Sequence, residues 1–515
     1  MSNNTEIRFF QQPVDIEHEK MSVSTTDHQE HFSLKKIKEV NINAPVYQIS
    51  ENSRSCFVQT FEQFCSEFGL DKLYGSCINY HQIEDLPDEY LWIQELILCP
   101  EKWRTRKALK ESLEGKFPPT PMPELTERQA IKLVSATFHM INVYLFCRAD
   151  LDTQPQTVPA VLSVPHVQAC AKLRLEKLSL GFSHMFASWK LKDPTRSMYD
   201  INNYGALVSF TDSEGDRVFN GLSIVLTFHL QRINANLFDI SAAICNNQLG
   251  EIASKLREAA SFLSGFIPQM KVMFSSLETD YFMQHYRFFL QGFDDQQRFP
   301  SGLEFEGTGV VSRTTGGSAG GDPCVQIFER LMGLKFPGIF DHLQDELKMS
   351  FIGRHKDCVN YLEKHHVIRK FLLNDIRATP DMIEGYNELL EVYAGLFRKH
   401  YSYVHHYLLD RKPAPLNPNS VQGTGGIKAS DLGKKASLID SFKIPLSCPW
   451  SPISANVHSP GKAVCPWSPI TPQPAPKQKY NEDCNSPLRK YLNNQQSAGA
   501  SSPRKISRGC PFGFK

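Results

Sequence analysis

The segment Pro380–Leu409 constrains the fold of this chain more than any other stretch of its sequence. Thr379 is a residue type that caps helix N-termini, and Pro380 suits the first helical position. Large side chains then recur in steps of three or four residues, which predicts one face of a single long helix. These side chains are Ile383, Tyr386, Leu390, Tyr393, Phe397, His400, Val404 and Leu408.

Helical periodicity also dominates the rest of residues 55–410, whereas the alternation typical of strands is scarce. Gly221–Ile244 is long and apolar, and Lys271–Phe293 is rich in aromatic residues. We therefore expect an all-α fold, with a small helical domain over residues 56–210 and a large helical domain over residues 211–412.

The two ends of the chain differ from this middle part. Residues 1–55 are polar and weakly periodic, so we expect a disordered lead. We expect a flexible loop region over 413–430 and a disordered, basic, Ser/Pro-rich tail over 431–515. From Arg411 onward there are 15 Lys and Arg against 4 Asp and Glu, so a basic tail follows a mildly acidic body.

Composition excludes several classes of protein. The 13 cysteines are odd in number and none belongs to a C-x-x-C pair, which speaks against a disulfide scaffold or a zinc ribbon. The start of the chain lacks the pattern of a signal peptide, and the most apolar run, Leu133–Cys147, is too short to cross a bilayer. The net charge of +1 says nothing about partners by itself. Our expectation is a cytoplasmic protein that binds neither nucleic acid nor membrane.

Two polar residues in apolar helices are candidates for chemistry. His400 lies on the buried face of its helix, where an imidazole can bind haem iron or can be a hydrogen-bonded core histidine. Arg287 lies within the aromatic run Tyr281–Leu290, where a guanidinium needs a partner. That partner is either a substrate carboxylate, held bidentately, or an internal acidic residue in an ion pair.

Two glycine-rich loops offer backbone N–H groups and close approach to a ligand. Thr314–Gly321 lacks the lysine of a P-loop, so it favours nucleotide binding only weakly, and an ordinary surface turn would look the same. Gly423-Thr-Gly-Gly426 follows the long helix and, taken alone, is typical of a linker.

The order of these motifs resembles the indoleamine 2,3-dioxygenase family. The proximal-histidine helix of that family is similar to Arg398–Leu409, which reads R-K-H-Y-S-Y-V-H-H-Y-L-L. Upstream, the motifs R-F-F-L-Q-G-F from Arg287, G-L-E-F-E-G from Gly302 and G-G-S-A-G from Gly316 recur in the family's order. The Gly-Thr-Gly-Gly loop also follows, and weaker similarity extends back to about residue 60.

This resemblance implies a haem b enzyme that opens the indole 2,3-bond of L-tryptophan with O2 and yields N-formylkynurenine. It implies the two-domain helical fold of the family, with the haem in the large C-terminal domain. It also implies that an electron donor reduces the haem iron.

The resemblance implies roles for individual residues as well. His400 matches the proximal iron ligand, and Phe219 and Ser223 match the distal residues over the haem. Phe282 and Arg287 match residues that stack on the indole and hold the substrate carboxylate. The remaining matches are pocket-lining or loop-closing positions: Gly317, Ser318, Ala319 and Thr424.

Two positions depart from the family pattern and leave alternatives open. Gly181 and His184 stand where the family often has Tyr and Cys; the glycine enlarges the pocket and the histidine adds an imidazole near its distal side. These departures also suit a weak dioxygenase with altered substrate preference, or a non-enzymatic protein that binds O2 or senses haem on the same fold.

The tail carries a repeat that the resemblance does not cover. Cys448 and Cys465 each begin the sequence Cys-Pro-Trp-Ser-Pro-Ile, and Cys510-Pro511 echoes it. These dipeptides resemble haem-regulatory motifs, and nearby Ser-Pro sites resemble kinase targets. The tail is therefore a candidate for haem or kinase contacts, and a signalling scaffold is a further alternative.

Overall fold

The computed structural model describes residues 47–78, 83–147, 155–178, 186–296, 298–410, 421–423 and 426–446. The unit Met1–Ala44, most of the predicted tail and the tail repeat lie outside the described residues. The described residues all belong to one compact unit, and the division expected at residue 210 stays a prediction.

Helices make up most of the described chain, which confirms the all-α prediction. They are α1 (Glu51–Cys56), α2 (Phe61–Glu67), α3 (Leu91–Ile97), α4 (Arg106–Leu113), α5 (Glu127–Phe146), α6 (Ala160–Lys172), α7 (Glu214–Cys245), α8 (Ile252–Ser264), α9 (Val272–Ser276), α10 (Thr279–Tyr281), α11 (Pro323–Leu331), α12 (Ile339–Lys348), α13 (Gly353–His365), α14 (Ile368–Asn374), α15 (Pro380–Val404) and α16 (Ala429–Asp440).

Short 3₁₀-helical and π-helical turns connect these elements. Turns of π-helix span Phe282–Tyr286 and His405–Leu409. The 3₁₀ turns are Asp88–Tyr90, Pro100–Lys102, Ile201–Asn203, Leu249–Glu251, Ile267–Lys271, Arg287–Leu290 and Ala319–Gly321.

The described residues also contain five short strands. They are β1 (Thr157–Val158), β2 (Trp189–Leu191), β3 (Tyr204–Ala206), β4 (Leu303–Phe305) and β5 (Val310–Ser312). β4 pairs in parallel with β1 and antiparallel with β5, and β2 pairs antiparallel with β3. These small sheets are too short to form a separate layer, so the helices contribute most of the hydrophobic core.

The long helix α15 begins where the sequence predicts. Thr379 Oγ1 accepts a hydrogen bond from the Met382 N–H at 3.3 Å, and Pro380 occupies the first turn. One face of α15 packs along α8 and another along α16, while α7 packs against α11. Tyr386, Leu390 and Tyr393 on the predicted face are buried. After Val404 the chain continues as the π turn to Leu409.

Order extends further at both ends than the sequence predicted. Helix α1 begins within the expected lead. It is ordered because the Ser50 side chain caps its N-terminus and because Phe57 packs against Phe238, with ring centroids 5.0 Å apart. At the other end, α16 and the residues to 446 replace the start of the expected tail. Ile439 and Ile444 bury their side chains there and provide the apolar contact that holds this segment.

None of the helices in the described part of the chain is long and apolar enough to cross a membrane. All nine cysteines within the described residues are free thiols.

Candidate active site

A cavity of about 250 Å³ lies between α7, α11, α12, α15, α16 and the turns that follow α10. Most residues that the sequence singled out line it together. These residues are Phe219, Ser223, Phe282, Arg287, Gly317, Ser318 and His400. The two helices, the turns over Phe282–Leu290 and the glycine-rich loop that carry them are distant in sequence, so the cavity is a product of the tertiary fold.

His400 reaches the cavity from the last third of α15. Protein atoms enclose its imidazole, and its accessible surface is onto the cavity. Burial, aided by the nearby charge of Lys435, lowers the pKa of His400 to about 4. The ring is therefore neutral near pH 7, which is the form that binds a metal ion. Phe397 and Val404, on neighbouring turns of the same face, also line the cavity.

Aromatic side chains form a second wall. Phe219 and Ser223 are one turn apart on α7, so both side chains face the same way. The Phe219 ring lies 5.9 Å from that of Phe282 and 5.3 Å from that of Tyr286, and Phe282 in turn lies 5.3 Å from Tyr407. These contacts make a rigid apolar surface on which a planar ring can stack.

Arg287 stands at the junction between the π turn and the following 3₁₀ turn. Such π-helical turns often occur at functional sites because they redirect side chains. Its guanidinium Nη2 donates a hydrogen bond to the backbone carbonyl of Gln422, with the atoms 3.0 Å apart. Arg287 therefore connects the cavity to the chain that flanks the second glycine-rich loop.

The first glycine-rich loop is joined to the segment that follows Arg287. The Phe293 N–H donates to the Thr314 carbonyl at 2.7 Å, and the Gly317 N–H donates to the Leu290 carbonyl at 3.3 Å. A Cβ atom on Gly316 would lie 2.2 Å from the Leu290 oxygen, so only glycine permits this approach. Ala319 then begins the turn Ala319–Gly321.

Three predicted site residues, Gly181, His184 and Thr424, lie outside the described residues. The chain is described up to Gly423 and again from Gly426: Gly423 lines the cavity, and its N–H donates to the Ile427 carbonyl at 2.8 Å. The roles expected for these three residues stay predictions.

Comparison with known proteins identifies the family of this chain. The sequence model of a family described as indoleamine 2,3-dioxygenase matches residues 64–435, which is more than half of the chain. The chain belongs to the indoleamine 2,3-dioxygenase family. The matched range includes His400, Arg287 and both glycine-rich loops.

Relatives within the family are distant. Indoleamine 2,3-dioxygenase 1 of Rattus norvegicus is 26% identical over 358 residues, which cover 68% of this chain and 86% of that protein. The mouse protein of the same name is 24% identical, over 67% of this chain and 87% of its own length. Mouse indoleamine 2,3-dioxygenase 2 is 23% identical, over 70% and 90% respectively.

The sequence analysis did not predict one polar part of the cavity wall, the pair Glu329 and Lys435. Glu329 on α11 and Lys435 on α16 both line the cavity, and the Lys435 Nζ lies 3.0 Å from the Glu329 Oε1. Lys435 fell within the expected disordered tail. The available signal was apolar spacing from Leu432 through Ala436 to Ile439, in steps of four and three residues, which is typical of a helix.

The residues present fit a haem with one histidine ligand. In the described part of the chain, no group of three or more His, Cys, Asp or Glu side chains is placed to hold a metal ion. His400 instead offers one neutral imidazole beside apolar walls, which suits an iron whose other ligands come from a porphyrin. Leu396, Leu408 and Met270 are among these apolar residues.

Proposed function

We propose that this protein is a haem-dependent dioxygenase that cleaves the indole 2,3-bond of L-tryptophan with O2 and yields N-formylkynurenine. The observation that carries the proposal is that His400, Arg287 and the Phe219–Phe282 pair line one cavity. Membership of a haem-dependent dioxygenase family supports the cofactor and the class of reaction.

His400 would hold haem b, which when bound supplies the ferrous iron that binds and activates O2. The chain's part is to orient the reactants and to exclude water. The neutral imidazole of His400 can bind iron without losing a proton, and the aromatic and aliphatic walls of the cavity would exclude water.

The indole ring would stack on Phe219 and Phe282, and Arg287 would hold the substrate carboxylate. A guanidinium can bind a carboxylate with two parallel hydrogen bonds, which sets the orientation of the amino acid as well as its affinity. Because Arg287 also binds the Gln422 carbonyl, substrate binding and the position of the Gly423–Gly426 loop are linked. Closure of this loop would exclude bulk water.

The test is a turnover assay on the full chain. Purified protein is loaded with haem and reduced chemically, L-tryptophan and O2 are added, and the absorbance of N-formylkynurenine is followed. We expect product from the wild type and none from His400→Ala, which should also lose the Soret spectrum of a histidine-ligated haem. His406→Ala is the matched control, since His406 is exposed on the π turn that follows α15 and hydrogen-bonds to Thr279.

A Soret band that His400→Ala leaves unchanged would refute the ligand assignment. A stable ferrous–O2 spectrum that tryptophan does not perturb would instead favour the non-enzymatic alternative. Arg287 favours the enzyme, because an O2 carrier needs no carboxylate clamp. The proposal also includes a cytoplasmic location, an electron donor as partner, and haem or kinase contacts of the tail.

A further inference from the structure

A buried ion pair closes the cavity where α16 meets α11. The Lys435 Nζ lies 3.0 Å from the Glu329 Oε1, and the two side chains are only 10% and 0% exposed. Taking two charges out of water is costly unless each finds well-placed partners. A pair that is buried this deeply therefore indicates that the fold holds both side chains in defined positions.

The carboxylate of Glu329 has a full set of partners. Its Oε1 also accepts a hydrogen bond from the Tyr393 hydroxyl at 2.7 Å, and its Oε2 accepts one from the Gln344 side-chain amide. Tyr393 belongs to α15 and Gln344 to α12. The acidic group is thus the point at which α11, α12, α15 and α16 are joined.

The ammonium group of Lys435 packs on aromatic rings as well. It lies 4.3 Å from the centroid of the Phe397 ring and 5.0 Å from that of Phe336, distances suited to cation–π attraction. Phe397 packs in turn on Tyr393, with ring centroids 5.1 Å apart. The ion pair therefore contacts α15 on the two turns that precede His400.

Further contacts, away from the cavity, hold α16 and the residues that follow it against α15. The Asn387 side chain accepts a hydrogen bond from the Ile444 N–H and donates one to the Ile444 carbonyl, each at 2.8 Å. Arg398 Nη2 pairs with Asp440 at 2.5 Å. Between Gln422, which binds Arg287, and Lys435, the chain contributes Ile427 and Leu432 to the cavity wall.

We propose that Lys435 is a positioning residue, which through its ion pair with Glu329 sets the placement of the His400 turn of α15 relative to α16. The proposal rests on the proposed function in one respect, since it takes His400 as the iron ligand. Lys435 acts through Phe397 and the Glu329–Tyr393 hydrogen bond. It couples the segment that carries the second glycine-rich loop to the histidine side of the cavity.

The test compares Lys435→Met with Lys434→Met. Methionine keeps much of the length and apolar stem of lysine but removes its charge, leaving the Glu329 carboxylate without its counter-ion. Lys434 is the matched control, because it lies on the same helix with 68% of its side chain exposed and pairs with Asp431 at the surface. Hydrogen exchange of the haem-free protein and the iron–histidine stretching band of the reduced, haem-loaded protein are measured.

We expect K435M to exchange at least tenfold faster over residues 429–446, to shift the iron–histidine band and to release haem at least tenfold faster. K434M should match the wild type in all three measurements. If K435M does not fold, E329Q/K435M removes both charges and should restore folding while keeping the shifted band. The proposal is overturned if the iron–histidine band is not shifted in the variant that folds, even if hydrogen exchange over residues 429–446 is faster.

These outcomes separate the two proposals. If the wild type shows no iron–histidine band, the ligand assignment of His400 fails, and with it the basis for calling Lys435 a positioning residue of that ligand. If the wild-type band is present and K435M leaves it unchanged, only the role of Lys435 is overturned.

Discussion

In the proposed function, Arg287 is the residue on which substrate recognition would depend most directly. Its guanidinium lines the cavity and also donates to the Gln422 carbonyl. A substrate carboxylate would bind this same guanidinium, so one side chain would serve both the loop and the ligand.

We expect Arg287→Gln to raise KM for L-tryptophan by about tenfold to a hundredfold, since a hydrogen bond to a charged group contributes about 1.5–3 kcal/mol. Tryptamine, which lacks the carboxylate, should bind the variant and the wild type equally, as measured by perturbation of the haem spectrum. Arg313→Gln is the control, because Arg313 is exposed and donates to the Pro300 carbonyl. Equal losses for tryptophan and tryptamine would point to general damage of the cavity instead of a lost clamp.

At the scale of elements, the contact between the Gly316 loop and the chain after Arg287 shapes the cavity edge. The loop and the segment Leu290–Phe293 are joined by backbone hydrogen bonds in both directions. Gly292 and Gly316 face each other so closely that a Cβ atom on either would overlap the opposite backbone. The glycines are therefore needed for the approach of two backbones.

Gly316→Ala should destabilise the protein by about 1–3 kcal/mol, the usual cost of forcing extra atoms into a packed site. It should also weaken tryptophan binding, because the loop carries Gly317 and Ser318 in the cavity wall. The measurement is chemical unfolding of the haem-free protein. Gly250→Ala is the control, since a Cβ there meets nothing within 4 Å, and it should leave stability within about 0.5 kcal/mol of the wild type.

Across the whole molecule, Asp322 joins three segments that are far apart in the sequence. Its carboxylate accepts hydrogen bonds from the Ser76 hydroxyl at 2.8 Å, the Thr227 hydroxyl at 2.7 Å and the Cys324 N–H at 2.8 Å. Burial outweighs these bonds and raises the pKa of Asp322 from 3.8 to about 6. The folded protein thus binds this proton more tightly than the unfolded chain does.

The stability that this proton contributes is complete below pH 3.8 and is lost as the pH rises through about 6. Asp322→Asn removes the titration, so its unfolding free energy should rise relative to the wild type by about 2–3 kcal/mol between pH 4 and pH 7. Asp381→Asn is the control: the Arg257 side chain lowers the pKa of Asp381, so the difference has the opposite sign, appears as the pH falls below 3.8 and stays small between pH 4 and pH 7. A difference for Asp322→Asn that stays flat with pH would contradict the prediction.

Much of the fold could be predicted from local sequence alone. The cap at Thr379, the proline at the first turn and the regular spacing of large side chains predicted α15 and placed His400 on its inner face. The order of motifs predicted that Arg287, the glycine-rich loops and His400 belong to one site. These signals are readable because helix periodicity and turn chemistry depend only on neighbours in the chain.

Tertiary structure alone decided which distant residues meet. Nothing local to Glu329, Tyr393 or Lys435 indicates that their side chains converge, since a long-range ion pair has no periodic pattern. Helix α16 is stabilised mainly by the apolar face that it buries on α15, and an isolated helix of its 12 residues is marginal in water. Local sequence and the order of motifs therefore predicted the candidate iron ligand and its helix, whereas the packing of the whole chain brought the charged residues around it together.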